Sequence, residues 1–520
     1  MSMNQINPST VYKAAARAGN PAAIHDLGPE PTEERKVELG TLARKVAAHF
    51  TGQTVSPSVV AGTVRLIEFT VLALIGLVVF RLYVYPEEGF ALLYGLPLLA
   101  GSALAVMLIH ASDGYTIGNM HTYMRQLGKI FAAWTIVFAF VATMMFFAKV
   151  GEYYSRVWFV TWYVSGLVFF AFFRTGLAII VRGWSSEGRL ERRAVIVGGG
   201  KSAEELIISL ESQPDNEIRI CGIFDDRSDD RSPPVVAGYP KLGTISELVE
   251  FARIARVDLL IVTIPLTAEG RVGEMLKKLW VLPVDIRLAA HTDKLHYRPR
   301  AYKYVGAVPF VDVFTKPIAD WNSILKRLFD LMFASTALIL ASPIMLATAL
   351  AVRIESPGPA LFRQKRYGFN NEMVDVFKFR SMFTDKADAD ASKLVTKDDD
   401  RVTKVGRFIR RTSIDELPQL FNVLRGDLSL VGPRPHARSA KAAGQLYEQV
   451  VDGYFARHRV KPGVTGWAQI NGYRGETDTS DKIRNRVDYD LYYIENWSLL
   501  FDLYILFMTP IRLLNTENAY

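Results

Sequence analysis

Two adjacent carboxylates, Asp415 and Glu416, stand in a stretch of residues 410–435, RRTSIDELPQLFNVLRGDLSLVGPRP, that is rich in arginine, glycine and proline. The apolar residues after the pair recur at helical spacing until Gly426, so the pair is predicted at the start of a helix. Ser413 is expected to cap that helix, with Glu416 closing a capping box. A helix start attracts phosphate, and carboxylates can hold Mg²⁺, whose charge lets them approach a phosphate. The pattern indicates phosphoryl transfer with a carboxylate nucleophile.

Basic residues near the pair could offset the charge of a diphosphate, because guanidinium groups offer forked donors that match phosphate oxygens. They are Arg410, Arg411, Arg434 and, in the upstream segment VFKFRSM, Lys378 and Arg380. The simpler alternative is that the acidic pair only caps a solvated turn, and that Arg411 pairs with a helix carboxylate.

The order of motifs from about residue 320 to the end of the chain is similar to that of one enzyme family. The chain resembles the bacterial polyprenyl-phosphate hexose-1-phosphate transferases, the monotopic phosphoglycosyl transferases that begin exopolysaccharide and O-antigen assembly. The motifs that carry the resemblance, besides the stretch around the acidic pair, are KRLFD at 326–330, SPGPALFRQKRYG at 356–368, VFKFRSM at 376–382 and VKPGVTGWAQINGYRGETDT at 460–479.

The resemblance implies transfer of a hexose-1-phosphate from a UDP-sugar to a polyprenyl phosphate, with release of UMP. Asp415 would form an aspartyl-phosphosugar intermediate, and Glu416, together with Asp415, would hold Mg²⁺. The Pro-Arg-Pro turn would lie on the uridine side. The candidate substrate-binding residues are Lys378, Arg380, Arg410, Arg411, Pro433, Arg434, Pro435 and Gln469. The segment NGYRGETDT and the chain ending resemble the undecaprenyl-phosphate glucose phosphotransferases, so glucose is expected, with galactose left open.

Composition points to a membrane protein with several domains. The 520 residues suffice for about three domains, and half of them are hydrophobic. The net charge of +8 could indicate nucleic acid, but the long apolar runs favour an anionic membrane surface, and no nucleic-acid partner is expected. The only cysteine, Cys221, excludes an intrachain disulfide and a thiolate metal cluster, and it is predicted to lie in a core.

Four apolar segments, near 63–84, 89–110, 129–149 and 157–182, each approach the ~20 residues that a crossing needs. They predict a four-helix transmembrane bundle over residues 61–184. The basic residues that follow place the N-terminus and everything after the bundle in the cytoplasm, at the bacterial inner membrane. Residues 1–60 are predicted to be a mostly disordered cytoplasmic tail, with a short helix near 37–50.

Residues 191–290 alternate strand and helix patterns, which predicts a Rossmann-like α/β domain. Gly198 and Gly200 follow the first strand in a G-x-G-x-x-A pattern, and Asp225 lies where a ribose-binding acid would fall. NAD binding is one reading. The alternatives are a tight turn without ligand, or a dimerising or nucleotide-sensing domain. Residues 291–320 show little periodicity and are predicted to be a connector.

The apolar run 328–352 is long enough for a fifth crossing, yet basic residues flank both of its ends. Ser342-Pro343 falls near its middle, where proline removes a backbone donor and the serine hydroxyl can satisfy the freed carbonyl. We therefore expect a re-entrant helix that bends there and returns to the cytoplasmic face, as the resemblance also implies. A kinked spanning helix is the alternative.

The predicted fold is thus a membrane protein that combines α and α/β parts, ending in a mainly helical monotopic catalytic domain over residues 321–520. Within it, residues 436–458 are expected to form a helix, and 497–514 an amphipathic helix lying in the interface. The expected partners are a UDP-sugar, a polyprenyl phosphate and membrane lipids, and the arrangement is compatible with a homodimer. Two rival functions are a membrane-anchored NAD-dependent sugar-nucleotide enzyme and a non-catalytic scaffold.

Overall fold

The computed structural model describes residues 39–52, 54–88, 92–121, 123–213, 218–227, 232–264, 269–289, 303–305, 308–383, 399–436, 441–442, 445–446, 451, 454–473 and 479–514. Its α-helices are α1 (Thr41–His49), α2 (Pro57–Val79, continued by a π-helical stretch Phe80–Val84 and the helical turn Tyr85–Glu88), α3 (Gly95–Ala111), α4 (Ile117–His121), α5 (Tyr123–Phe147), α6 (Arg156–Ser186), α7 (Lys201–Glu211), α8 (Ile245–Ile254), α9 (Glu269–Leu279), α10 (Asp320–Glu355), α11 (Lys404–Thr412), α12 (Gln419–Arg425), α13 (Trp467–Ile470), α14 (Ser480–Glu495) and α15 (Leu499–Leu514).

The strands fall into one large sheet and three small ones. They are β1 (Arg192–Val197), β2 (Ile218–Phe224), β3 (Val235–Val236), β4 (Tyr239–Gly243), β5 (Leu259–Val262), β6 (Asp285–Ala289), β7 (Lys303–Val305), β8 (Val308–Phe314), β9 (Leu361–Tyr367), β10 (Met373–Phe379), β11 (Ser429–Val431), β12 (Lys441–Ala442), β13 (Gln445–Leu446) and β14 (Gly463–Thr465).

Four apolar helices, α2, α3, α5 and α6, occur where the four crossings were predicted. In the described part of the chain, four helical segments are long and apolar enough to span a membrane, namely Pro57–Glu87, Gln126–Phe147, Arg156–Ser186 and Asp320–Glu355. The predicted second crossing corresponds to α3, whose 17 residues are fewer than the ~20 that usually cross a bilayer.

Tryptophans fill the interior of this bundle. Trp134, Trp158 and Trp162 are fully buried. Trp158 and Trp162 each donate an indole N–H, at 2.9 Å, to a carbonyl of α2. A buried indole N–H needs a hydrogen-bond partner, so these two bonds hold α6 against α2.

The α/β domain is an eight-stranded sheet of order β3-β4-β2-β1-β5-β6-β8-β7. Its central strands β4, β2, β1, β5 and β6 are parallel, with buried residues on both faces because helices cover each side. Cys221 is buried in this core, as predicted.

Two boundary predictions were wrong. The segment 291–320 is not only a connector, because β7 and β8 continue the sheet as antiparallel strands beyond β6. Val308 and Phe310 are buried there, and the apolar residues of VPFVDVF supply this strand. The short helix predicted near residues 37–50 is present as α1, but this segment does not belong to a disordered tail. Leu39, Ala43 and Ala47 recur every four residues and pack into the α/β core, whereas residues 1–38 lie outside the described part of the chain.

The last part of the chain packs around α10 and α12. The hairpin β9–β10, the parallel pair β11–β14 and helices α14 and α15 complete this domain. Lys326 at the start of α10 is buried, and its ammonium contacts the Asp502 carboxylate of α15 at 2.5 Å and the Val431 carbonyl at 3.1 Å. The predicted helix over 436–458 was wrong in its described parts, which contain two short strands and a 3₁₀ segment, Tyr454–Arg459.

α10 is one helix of 36 residues with Pro343 inside it. Proline at this position cannot donate to the carbonyl of Ile339, four residues earlier. The hydroxyl of Ser342 donates to that carbonyl at 2.8 Å, as the sequence predicted.

Candidate active site

The acidic pair occupies a short turn between two helices. α11 ends at Thr412, and Ser413 takes a left-handed conformation with φ of 60°. One 3₁₀ turn, Ile414–Glu416, follows, and Pro418 precedes the first residue of α12. Ser413 therefore terminates α11 and makes no side-chain cap on the turn that follows. The predicted capping box is wrong, since Glu416 is turned towards other partners.

Glu416 is held by two cations from different elements. Its Oε1 accepts from the Lys378 ammonium of β10 at 3.0 Å and from Nη2 of Arg434 at 2.6 Å. Its Oε2 accepts from Nη1 of Arg434 at 3.2 Å. This bidentate pair with a third donor is a charge-assisted arrangement. Burial alone would raise the pKa of Glu416, but Arg434 and Lys378 hold it well below its usual range.

The Asp415 carboxylate is buried beside this group and accepts no hydrogen bond from any described residue. Burial raises the pKa of Asp415; the charge of Lys378 opposes that rise, and the neighbouring Glu416 adds to it. The pKa of Glu416 is thus lowered and that of Asp415 is raised. Glu416 is fully paired, whereas Asp415 accepts no hydrogen bond from the described residues. Such a division separates an anchoring group from a reactive one.

The basic residues predicted to offset the charge of the diphosphate, here called the clamp, are only partly assembled around the acidic pair. Lys378 and Arg434 contact the pair directly. Arg410 donates from Nε to the Ser381 hydroxyl at 2.8 Å, and its charge acts on Asp415. Arg411, by contrast, is exposed on α11, and none of the described residues forms an ion pair or hydrogen bond with its side chain.

Arg380, also predicted to bind substrate, contacts backbone carbonyls, and its role towards the substrate stays a prediction. Its guanidinium donates to the carbonyls of Ser356 at 2.7 Å and Pro357 at 2.5 Å, and it reaches Val352 at 3.4 Å. Arg380 therefore ties β10 to the C-terminal end of α10, where unpaired carbonyls attract a cation.

The Pro-Arg-Pro turn is fixed by close backbone packing. Gly463 donates to the Pro433 carbonyl, and Gly432 donates to the Thr465 carbonyl, both at 2.9 Å. A Cβ on Gly463 would lie 2.1 Å from the Gly432 nitrogen, so only glycine fits. The carbonyl of Pro435 accepts from Arg366 at 2.8 Å. The backbone contacts of Pro433 and Pro435 thus fix the position of Arg434, which lies between them.

A buried ion pair that sequence reasoning missed contacts the backbone of Arg434. Arg457 and Asp490 are buried and 2.5 Å apart. Arg457 also donates to the Tyr454 hydroxyl at 2.6 Å and to the backbone carbonyl of Arg434 at 2.9 Å. Burial raises the pKa of Asp490, and Arg457 opposes the rise. Thirty-three residues separate the partners in the chain, and no local pattern signals such a pair.

A cleft of about 170 Å³ is lined by Glu416, whereas Asp415 and the predicted clamp residues Lys378 and Arg434 do not line it. Gln469 does line it, as a substrate-contact prediction would require, and its Oε1 is buried without a hydrogen-bond partner among the described residues. The other lining residues are Ser413, Glu416, Leu417, Leu420, Val464, Thr465, Ile470, Thr509 and Arg512.

The donors predicted for a divalent cation are the carboxylates of Asp415 and Glu416. Among the described residues no group of three or more His, Cys, Asp or Glu side chains could hold a metal by itself. Mg²⁺ commonly takes one or two carboxylates and completes its shell with water and substrate phosphates. The pair fits such a shared site, because Asp415 keeps its carboxylate available.

The glycine turn of the α/β domain is closed by its own acidic residue. Gly198 and Gly200 adopt φ of 100° and 87°. The Asp225 carboxylate accepts the Gly199 N–H at 2.7 Å and is paired with Arg227 at 2.6 Å. Burial would raise the pKa of Asp225, but the guanidinium of Arg227 and the backbone N–H groups of Gly199 and Arg227 lower it to about 2. Asp225 thus takes an N–H that a phosphate would use, and dinucleotide binding stays a prediction.

Comparison with known proteins matches two parts of the chain to family models. Residues 321–516 match the model of the bacterial sugar transferase family. Residues 110–290 match the model of a CoA-binding domain, which covers most of the α/β sheet together with the last two helices of the bundle.

Several curated relatives extend over both parts. The UDP-glucose:undecaprenyl-phosphate glucose-1-phosphate transferase of Escherichia coli is 34% identical over 436 residues, which are 83% of this chain and 92% of that protein. The enzyme of the same name from Xanthomonas campestris is 36% identical over 74% of this chain and 79% of its own length. The undecaprenyl-phosphate glucose phosphotransferase of Komagataeibacter xylinus is 41% identical over 64% of this chain and 61% of its own. With a buried acidic pair in its matching domain and relatives that align over most of its length, this chain belongs to the bacterial sugar transferase family.

Proposed function

We propose that this protein transfers glucose-1-phosphate from UDP-glucose to undecaprenyl phosphate and releases UMP, the reaction that begins an exopolysaccharide. The names of the relatives from three organisms support the substrates. The observation that carries the chemistry is the buried Asp415 carboxylate, which accepts no hydrogen bond from the described residues and lies beside a fully paired Glu416.

In the first step an Asp415 oxygen attacks the β-phosphorus of UDP-glucose. A carboxylate–phosphorus bond forms, the bond from that phosphorus to the bridging oxygen breaks, and UMP leaves with the electron pair. Lys378, Arg434 and Arg410 offset the charge of the diphosphate as it gathers on the leaving phosphate. Glu416 holds two of these cations in place before the substrate arrives.

In the second step an oxygen of undecaprenyl phosphate attacks the same phosphorus. The new phosphoanhydride bond forms as the acyl-phosphate bond breaks, and Asp415 leaves as a carboxylate. A phosphate dianion needs no general base for this attack, and none of the described residues that contact the pair is a histidine. His436 is buried, and burial holds its pKa well below its usual range.

Asp415 and Glu416 would hold Mg²⁺, and the ion would supply further charge neutralisation at the diphosphate. The residues of the chain would position it through their carboxylate oxygens. Arg434 would meanwhile keep Glu416 ionised, because it holds the pKa of that carboxyl low.

We place the site on the cytoplasmic face of the inner membrane, with α10 entering and leaving on that same face. Two anchors support this. Near the N-terminal end of α10, Arg327 donates to the carbonyls of Val423 and Leu424 of α12 at 2.6 and 2.7 Å. At the other end, Glu355 accepts N–H groups from the first turn of α11 at 2.7 and 2.9 Å. α11 and α12 flank the acidic pair, so a crossing would place two parts of one site across ~30 Å of hydrocarbon.

Membranes that contain the protein, incubated with labelled UDP-glucose, undecaprenyl phosphate and Mg²⁺, test the proposal. We expect UMP and a lipid-linked sugar, and a preference for UDP-glucose over UDP-galactose. A preference for UDP-galactose would reassign the sugar. Transfer that requires NAD would favour the sugar-nucleotide enzyme, and lack of any transfer would favour a scaffold.

A further inference from the structure

We infer that the cleft beside Glu416 is the binding site for the phosphate head and the first isoprene units of the lipid acceptor, with Arg512 of α15 as the phosphate-binding residue. The inference deepens the proposed function and rests on it. Two phosphorylated substrates must reach one aspartate in turn, and the geometry points to two separate approaches.

The first approach already has its cations. Lys378 and Arg434 meet Glu416 from β10 and the Pro-Arg-Pro turn, and neither lines the cleft. The cleft has a different cation, Arg512, in the last turn of α15. A phosphate that entered through the cleft would therefore be met by a positive charge not committed to Glu416. Among the described residues Arg512 has no ion pair or hydrogen bond through its side chain.

The walls of the cleft suit a ligand that is polar at one end and apolar at the other. Leu417, Leu420, Val464 and Ile470 supply apolar surface. In the described part of the chain the buried Oε1 of Gln469 has no hydrogen-bond partner, and a buried polar atom of this kind is costly unless a ligand or water satisfies it. A water that bridges this oxygen and the phosphate would satisfy it.

The outer face of α15 indicates that the ligand comes from a lipid phase. Leu500, Tyr504, Phe507 and Ile511 are at least half exposed and recur every three or four residues, so they form one apolar stripe. On the opposite face Asp502 and Ile505 are buried in the domain. A helix with this division lies in a membrane interface, with its basic residue at the level of the head groups. Arg512 follows Ile511 and, at about 100° per residue, lies beside this stripe, where it lines the cleft, so a lipid phosphate would meet it where the apolar face ends.

Separate assays of the two half-reactions test the inference on the full chain in undecaprenyl phosphate vesicles. Exchange of labelled UMP into UDP-glucose reports the first step alone, and the KM for undecaprenyl phosphate reports the acceptor. We expect Arg512→Gln to raise that KM about 10- to 100-fold, the loss typical of a hydrogen bond to a charged group, while the exchange rate stays unchanged. Arg512→Lys should recover part of the affinity, and Gln469→Leu should give a smaller rise.

Arg484→Gln, at an exposed arginine of α14 outside the cleft, is the matched control and should leave both assays unchanged. Equal losses of exchange and acceptor affinity in Arg512→Gln would overturn the assignment, and so would no change in either. If inorganic phosphate resolved the intermediate as well as the lipid, the cleft would be a site for free phosphate instead. Absence of exchange in the wild-type protein would contradict the two-step function separately, since the KM for the acceptor can still be measured from overall transfer.

Discussion

At the scale of single residues, two consecutive arginines have opposite surroundings. Arg410 contacts Ser381 and acts on Asp415, whereas Arg411 faces outwards from α11. We predict that Arg410→Gln lowers kcat/KM for UDP-glucose about 10²- to 10³-fold, the usual cost of one lost electrostatic donor. Arg411→Gln should retain nearly full activity. Steady-state transfer assays on both variants check this, and equal losses would contradict the geometry.

The charge of Lys378 sets where the Asp415 carboxyl titrates. Burial raises the pKa of this carboxyl, and Lys378 is the largest influence that lowers it. Because the reacting form is the carboxylate, activity should fall as the pH drops through this raised pKa, above the ordinary aspartate value of about 3.9. In Lys378→Gln the acid limb of the kcat/KM profile should move to higher pH. An unmoved limb, with the rate reduced equally at every pH, would show that Lys378 acts only by binding substrate.

At the scale of elements, α14 positions the Pro-Arg-Pro turn through the pair Arg457–Asp490. Removing one partner of a buried ion pair leaves an uncompensated charge, which commonly costs about 3–5 kcal/mol. Asp490→Asn should therefore lower the thermal unfolding midpoint and raise the KM for UDP-glucose, because Arg434 loses its support. Asp488→Asn, at an exposed position of the same helix, is the control. Unfolding curves that coincide for the two variants would argue against a positioning role.

Sequence reasoning found the elements whose signal is local and missed those that depend on partners far along the chain. Four apolar runs predicted four helices, and Gly426, with φ of 92°, ends α12 where the sequence placed its end. The capping box failed because Ser413 serves the preceding helix. The strand β8 was within reach of the sequence, since VPFVDVF carries enough apolar residues. Arg457 and Asp490 could not be paired from one sequence, because only the fold brings them together.

At the scale of the whole molecule, the path of α10 decides whether the site is assembled on one face of the membrane. Cys221 is the only native cysteine. It is buried, and burial raises its pKa to about 12, so we expect no reaction of this thiol with a maleimide. Single cysteines introduced as Ser323→Cys and Pro359→Cys lie at exposed positions near the two ends of α10. We predict that an impermeant maleimide labels both in inside-out vesicles and neither in right-side-out vesicles. Opposite accessibility of the two positions would establish a spanning helix.

The central claim is that Asp415 becomes covalently attached to the sugar phosphate. The direct measurement is peptide mass spectrometry of the protein after a short incubation with UDP-glucose in the absence of undecaprenyl phosphate. We predict a phosphoglucose adduct on Asp415 that disappears when the lipid acceptor is added and never forms in Asp415→Asn. UMP release at the normal rate with no adduct on this residue, or with the adduct on another one, would contradict the account.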